Sequence, residues 1–164
     1  MNNQELSTKF DRWLQLVTDM HAEFRFTGNP HAAWTPVTKP LSAMKIGLLG
    51  TGGIHLKSQE PYDLMNHHGD WRYRIIPSGS AAGELMASHT HYDTDDANRD
   101  INCVFPIDAL RTLAAGGEIG GVSPVHIGMM GFIPNGEPLR DETAPVIARI
   151  FREAGADAVL MVPG

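Results

Sequence analysis

The chain has 164 residues, enough for a domain with its own hydrophobic core, and its 42% hydrophobic and 20% charged composition is that of a globular protein. A formal net charge of -6, with Lys and Arg scattered, argues against a nucleic-acid or anionic-membrane surface. One cysteine, Cys103, excludes an internal disulfide, and neither a signal peptide nor an apolar run of spanning length is evident. These features together predict a cytoplasmic protein.

Leu6, Phe10, Trp13, Leu14, Val17, Met20 and Phe24 recur at three- and four-residue steps, so residues 5–26 are expected to form an amphipathic helix that packs on the domain body or on a partner. Gly28, Asn29 and Pro30 stop it, and a connector spaced by Pro36 and Pro40 follows. The division expected is residues 1–42, helix and connector, and residues 43–164, an α/β domain.

That domain begins with KIGLLG at 45–50, an apolar run expected as a buried strand entering the tight Thr51–Gly52–Gly53 loop. WRYRII at 71–76 alternates as a strand does, and Pro77 to Ser80 close it. Residues 84–89 are expected as a short strand delivering histidines at its end. Residues 106–115 suit a helix stopped by Gly116–Gly117, residues 122–130 a strand, residues 143–154 a helix stopped by Gly155, and DAVLMV at 157–162 a final buried strand. Such alternation predicts an α/β fold, a mostly parallel doubly wound sheet with flanking helices preceded by the N-terminal helix.

The segment from His89 to Asp108, HTHYDTDDANRDINCVFPID, concentrates the chemistry. On a strand His89 and His91 share one face, and Asp93, Asp95, Asp96 and Asp100 add carboxylates. Metal binding, general acid/base work and substrate orientation are all open to such a set. The His-x-His-x-Asp-His pattern of metallo-β-lactamases fails, because Thr94 holds its last position. The bland alternative has the acids and Asn98 capping turns and the histidines hydrogen-bonded in the core. Gly50–Thr51–Gly52–Gly53 lacks both the dinucleotide pattern and a Walker lysine, so close backbone approach at a turn accounts for it better than phosphate binding. His55 then stands near the strand's C-terminal edge. Cys103, flanked by Val104, Phe105 and Pro106, is expected buried and inert. His126 is expected as a satisfied core residue, and His67–His68 as loop residues without a catalytic role.

SHTHYDTDDANRDINCVFPIDALRTLAAGGEIGGV resembles the signature region of the selenoprotein B family, the substrate-acting subunit of glycine, sarcosine and betaine reductases, and of the proline reductase selenoprotein subunit. KIGLLGTGGIHLKSQEPYD, WRYRIIPS, HIGMMGF and DAVLMVP agree with it, so the resemblance covers about residues 34–164, closest to the proline reductase branch. It implies an oxidoreductase that reductively cleaves a C–N bond of an amino acid. It implies a pyruvoyl group on a partner subunit that activates the substrate, a thiol reductant protein, no cofactor bound to this chain, and no resident metal. His89, His91 and Asp93 would be catalytic, with His55, Asp95, Asp100 and Asn102 binding substrate. In the family the strand matching DAVLMVP leads into a loop where a selenocysteine or cysteine stands a few residues before another cysteine, and the selenol is a nucleophile ionised more readily than an ordinary thiol. That redox residue is therefore expected beyond Gly164, past a UGA read as a stop, and residues 1–164 alone are expected to be inactive in reduction. Two readings of other classes stand beside this one: a non-catalytic assembly subunit docking through its first helix, and a metal-dependent hydrolase built on His89, His91 and Asp93.

Overall fold

The structure, a computed structural model, describes residues 3–20 and 34–164. Its contacts divide the chain into two units, Met1–Pro36 and Val37–Gly164. In the first unit α1 runs Asn3–Met20. Residues 21–26 of the expected helix, its Gly28–Pro30 stop and residues 31–33 of the connector lie outside the described residues. Phe10 and Trp13, one turn apart, pair their rings at 5.7 Å, while Leu16 and Met20 are largely exposed.

The second unit is built on β1 (Lys45–Gly50), flanked along its length by parallel β7 (Ala158–Val162). Its other side pairs in parallel with β5 (Gly121–Val122) and then β6 (Val125–Met129), so those two short strands form one interrupted line. Antiparallel β3 (Tyr73–Pro77) closes the β6 side. The sheet is thus mixed and mostly parallel, as expected for the fold class. The WRYRII strand enters it antiparallel, at an edge.

Alternation along β1 assigns the faces. Ile46 and Leu48 join Ile107 and Leu110 of α3 (Ile107–Ala115) and Phe105 in one core, whereas Leu49 joins Ile147 and Phe151 of α4 (Ala144–Glu153) in the other. Helices therefore cover both faces at the centre of the sheet, which is why KIGLLG can be continuously apolar. A π-type turn over Leu139–Thr143 runs into α4.

β7 departs from expectation. Leu160 and Met161 are 45% and 69% exposed, so the strand is not buried. Val159 and Val162 pack against the two cores from this edge, but Leu160 and Met161, which point to opposite faces, stay open.

A second, two-stranded ladder pairs β2 (Ile54–Leu56) with β4 (Leu85–Ala87) in antiparallel register. It lies directly against the main sheet at Gly128, where a Cβ would sit 1.8 Å from the Ile54 carbonyl oxygen. Only glycine permits that approach.

The β5–β6 interruption has a specific repair. From Ile46 to Leu49 β1 advances three residues while its partner advances five, Val122 to Ile127, around Ser123 and Pro124. This bulge leaves the Leu48 N–H without a ladder carbonyl, and the Nδ1 of fully buried His126 accepts it at 3.1 Å. His126 is therefore a core residue, as expected, but only half satisfied: its Nε2 is buried without a partner among the described residues. Burial, and then the charge of Arg111, lower its pKa to about 4.

Candidate functional site

Parallel strands present their following loops at their C-terminal ends. Beyond β1 lies Thr51–Gly53, beyond β6 Met130–Phe132, and beyond β7 Pro163–Gly164. These loops touch. Thr51 N–H donates to the Val162 carbonyl at 3.0 Å, the Gly164 N–H donates to Thr51 Oγ1 at 3.1 Å, and Gly52 bridges to Met130. Gly53 is held at φ 73°, a conformation few side chains adopt, with its N–H on the Met129 carbonyl at 2.7 Å and its carbonyl accepting from Ser88 N–H at 3.0 Å. The glycine loop is thus a turn of close backbone approach, and it ties the main sheet to the end of β4.

The segment after β4 is drawn into the same place. Tyr92 Oη donates to the Gly52 carbonyl at 2.7 Å, and its ring lies 4.9 Å from that of His89. The His91 ring stacks on Phe132 at 3.7 Å between centroids. His89 and His91 stand edge to face at 5.9 Å, and His89 Nδ1 accepts the backbone N–H of His91 at 2.9 Å. That bond makes Nδ1 the acceptor and places the His89 proton on Nε2, which is buried without a partner among the described residues. Burial, and then the neighbouring His91, lower the His89 pKa, so its ring is a neutral hydrogen-bond donor at neutral pH. Tyr92 is pushed the other way, by burial and then by Cys103.

His55 stands on β2 rather than in the loop before it, and it is wholly buried. Its Nδ1 lies 2.8 Å from the Leu56 carbonyl and its Nε2 2.9 Å from Ser88 Oγ. Among the expected site residues His89 and His91 meet directly, whereas His55 meets the segment through Ser88.

The acids are used differently. Asp93 accepts the Asp95 N–H at 3.0 Å in the turn that opens α2 (Asp95–Arg99), and Asp95 is exposed at that helix start. Asp96 pairs with Arg99. Asp100 accepts both the backbone N–H and the side-chain amide of Asn102, which lowers its pKa, and Asn102 in turn bonds Asp108 at the start of α3. Among the described residues no hydrogen bond or ion pair joins Asp93, Asp95, Asp100 or Asn102 to a site histidine. No three His, Cys, Asp or Glu side chains among them are grouped as a metal ion requires.

Cys103 is exposed, contrary to the buried thiol expected. It ends a 3₁₀ turn over Ile101–Cys103, in which Ile101 and the following Phe105 take the core positions and turn the cysteine outward. Sequence reasoning passed over Ser88, Tyr92 and Phe132, and it weighed Asn98 as a turn cap, whereas the Asn98 amide clamps β4, accepting the Ala87 N–H and donating to the Ala87 carbonyl. Only Tyr92, inside the histidine motif, carried a signal. A cleft of about 640 Å³ lies elsewhere, over residues 60–72. Its buried Asp70 is engaged by Arg72 and the Asp63 N–H.

No described helix is long and apolar enough to cross a membrane. A family profile described as glycine/sarcosine/betaine reductase selenoprotein B matches residues 18–163. The chain is 40% identical over 151 residues to D-proline reductase subunit gamma of Acetoanaerobium sticklandii, covering 92% of this chain and 61% of that protein. It is 28% identical over 130 residues to glycine reductase complex component B subunit gamma of Carboxydothermus hydrogenoformans, covering 77% of this chain and 29% of that protein. It therefore spans less than two thirds of the length of either curated relative. No solved structure matches it significantly. By the length of the profile match and the similarity to the proline reductase subunit, the chain belongs to the glycine/sarcosine/betaine reductase selenoprotein B family.

Proposed function

We propose that the chain is part of a D-proline reductase-like selenoenzyme and forms the wall that receives the amino acid whose C–N bond is reductively cleaved. One observation carries this reading: the loops after β1, β6 and β7 converge on His89–Tyr92, so a residue joined to Gly164 starts beside the histidines. The redox selenol or thiol enters from that side. His89 Nε2–H, buried and unpartnered among the described residues, is a donor that the carboxylate of a substrate seated beneath the surface would satisfy, and exposed Asp93 is suited to its ammonium. His91 is held beside them by stacking on Phe132. His91, Asp93 and Asp95 form an exposed rim, which fits approach by a second subunit. A pyruvoyl group on that subunit supplies a carbonyl that activates the substrate nitrogen. A reductant protein restores the oxidised pair by thiol exchange. The proposed setting is the cytoplasm.

Reductive cleavage of a ring C–N bond adds two electrons and two protons from a dithiol and opens the ring. The complex reconstituted with its partner subunits is therefore expected to convert D-proline to an open-chain amino acid heavier by two hydrogens, read by mass spectrometry. His89→Ala is expected to slow that conversion at least tenfold. Turnover unaffected by His89→Ala and Asp93→Ala together contradicts the assignment.

A further inference from the structure

The pair formed by His55 and Ser88 belongs to neither the substrate contacts nor the core packing described above. A backbone carbonyl only accepts, so the contact of 2.8 Å between His55 Nδ1 and the Leu56 oxygen places the imidazole proton on Nδ1. Nε2 is then a bare acceptor, and at 2.9 Å from Ser88 Oγ it takes the hydroxyl proton. The hydroxyl has one proton, now turned towards His55. What Ser88 Oγ offers elsewhere is lone pairs alone.

The surroundings hold this polarity in place. His55 is fully buried and the Tyr62 ring stands edge-on at 5.8 Å, itself fixed by Tyr62 Oη donating to the Ile54 carbonyl at 3.0 Å. Arg74 lies over the Tyr62 ring and disfavours a second positive charge nearby. Burial, then this charge, outweigh the Leu56 carbonyl and lower the His55 pKa, so the ring is neutral at neutral pH. Ser88, by contrast, is half-buried, follows β4 directly, precedes His89, and is fastened to Gly53 of the converging loops.

We propose that His55 makes Ser88 a fixed hydrogen-bond acceptor in the wall of the site, selecting a ligand that presents an N–H donor, the ammonium of an amino acid. Ser88 is a specificity residue and His55 a positioning residue acting through it. No covalent step is involved. This assignment rests on the function proposed above for its ligand class, but the acceptor itself is a property of the two side chains.

Two measurements test it. Imidazole ¹⁵N shifts of the labelled protein report the tautomer without any ligand, and the neutral Nδ1–H form of His55 is expected; an Nε2–H form overturns the acceptor. Calorimetric binding then compares D-proline with (R)-tetrahydrofuran-2-carboxylate, in which a ring oxygen replaces the N–H donor. Wild type is expected to prefer D-proline, and Ser88→Ala to reduce that preference about tenfold, as loss of one charge-assisted hydrogen bond does. An equal loss for both ligands, in a variant with unchanged thermal unfolding, overturns the selectivity. If neither ligand binds a protein showing the expected tautomer, the functional reading fails and takes the ligand class with it. A wrong tautomer in a protein that binds D-proline overturns the inference alone.

Discussion

The sheet around β1 and the segment from Ser88 to Asp108 are joined, yet they are held by different physics. Around β1 the stabilising term is apolar area: Leu48, Ile76 and Ile127 are wholly buried, and β7 pairs with β1 through five consecutive residues. The segment has apolar anchors of this kind towards its end, Ile101, Phe105 and Ile107, and is otherwise fastened by single polar tethers: Tyr92 to Gly52, Asn98 to Ala87, and Asp100 through Asn102 to Asp108. Burial fixes a scaffold whatever the detail of its edges. Point tethers fix particular atoms, which is what a binding wall requires. The two regions should therefore fail differently.

The largest expected effect comes where they share a residue. Phe105 is fully buried in the same core as Leu48, so Phe105→Ala should cost about 3–5 kcal/mol in denaturant unfolding and loosen the sheet as well as the segment. A cost below about 1 kcal/mol would show that the segment is not seated as described.

Next is the sheet's response to acid. The unfolded chain takes up a proton on His126 near pH 6.5, whereas the buried ring resists until about 4. The unfolded state thus binds more protons within this window, so stability is full above it, falls as pH falls through it, and levels off below. The loss attributable to His126 is on the order of 3 kcal/mol. His55 and His89, also lowered by burial, add to it in the same direction. His126→Gln, whose carbonyl can still accept the Leu48 N–H, should flatten the profile between those pH values. An unchanged slope would deny His126 its place in the bulge.

The smallest effect separates the regions most cleanly. Tyr92→Phe removes one tether and should cost about 1 kcal/mol or less. Hydrogen exchange should nevertheless quicken across residues 89–93 while β1 and β6 keep their protection. Uniform acceleration would mean that the segment and the sheet open as one unit.

The difference also explains what was legible in the sequence. Apolar runs and helical spacing announced β1, β6, α3 and α4, because burial leaves a periodic trace. The same rule misplaced DAVLMV: an apolar strand at an open edge looks like one at the centre, and only the helices' positions distinguish them. Within the segment, His89 and His91 stood out by residue type and spacing. Ser88 did not, because a serine acquires its role from a histidine 33 positions away across the β2–β4 ladder. The apolar flank of Cys103 led to a buried thiol being expected, but only Phe105 of that flank is fully buried and a three-residue turn carries the cysteine to the surface.

The account stands on the claim that the converging loops and the histidine segment form the amino-acid site. A titration of the ¹⁵N-labelled protein with D-proline, followed by backbone amide shifts, tests it directly. Shifts confined to Thr51–Gly53, Ser88–Asp93 and Gly131–Phe132 are predicted. Shifts across the cleft at residues 60–72, with none at Ser88–Asp93, would contradict it.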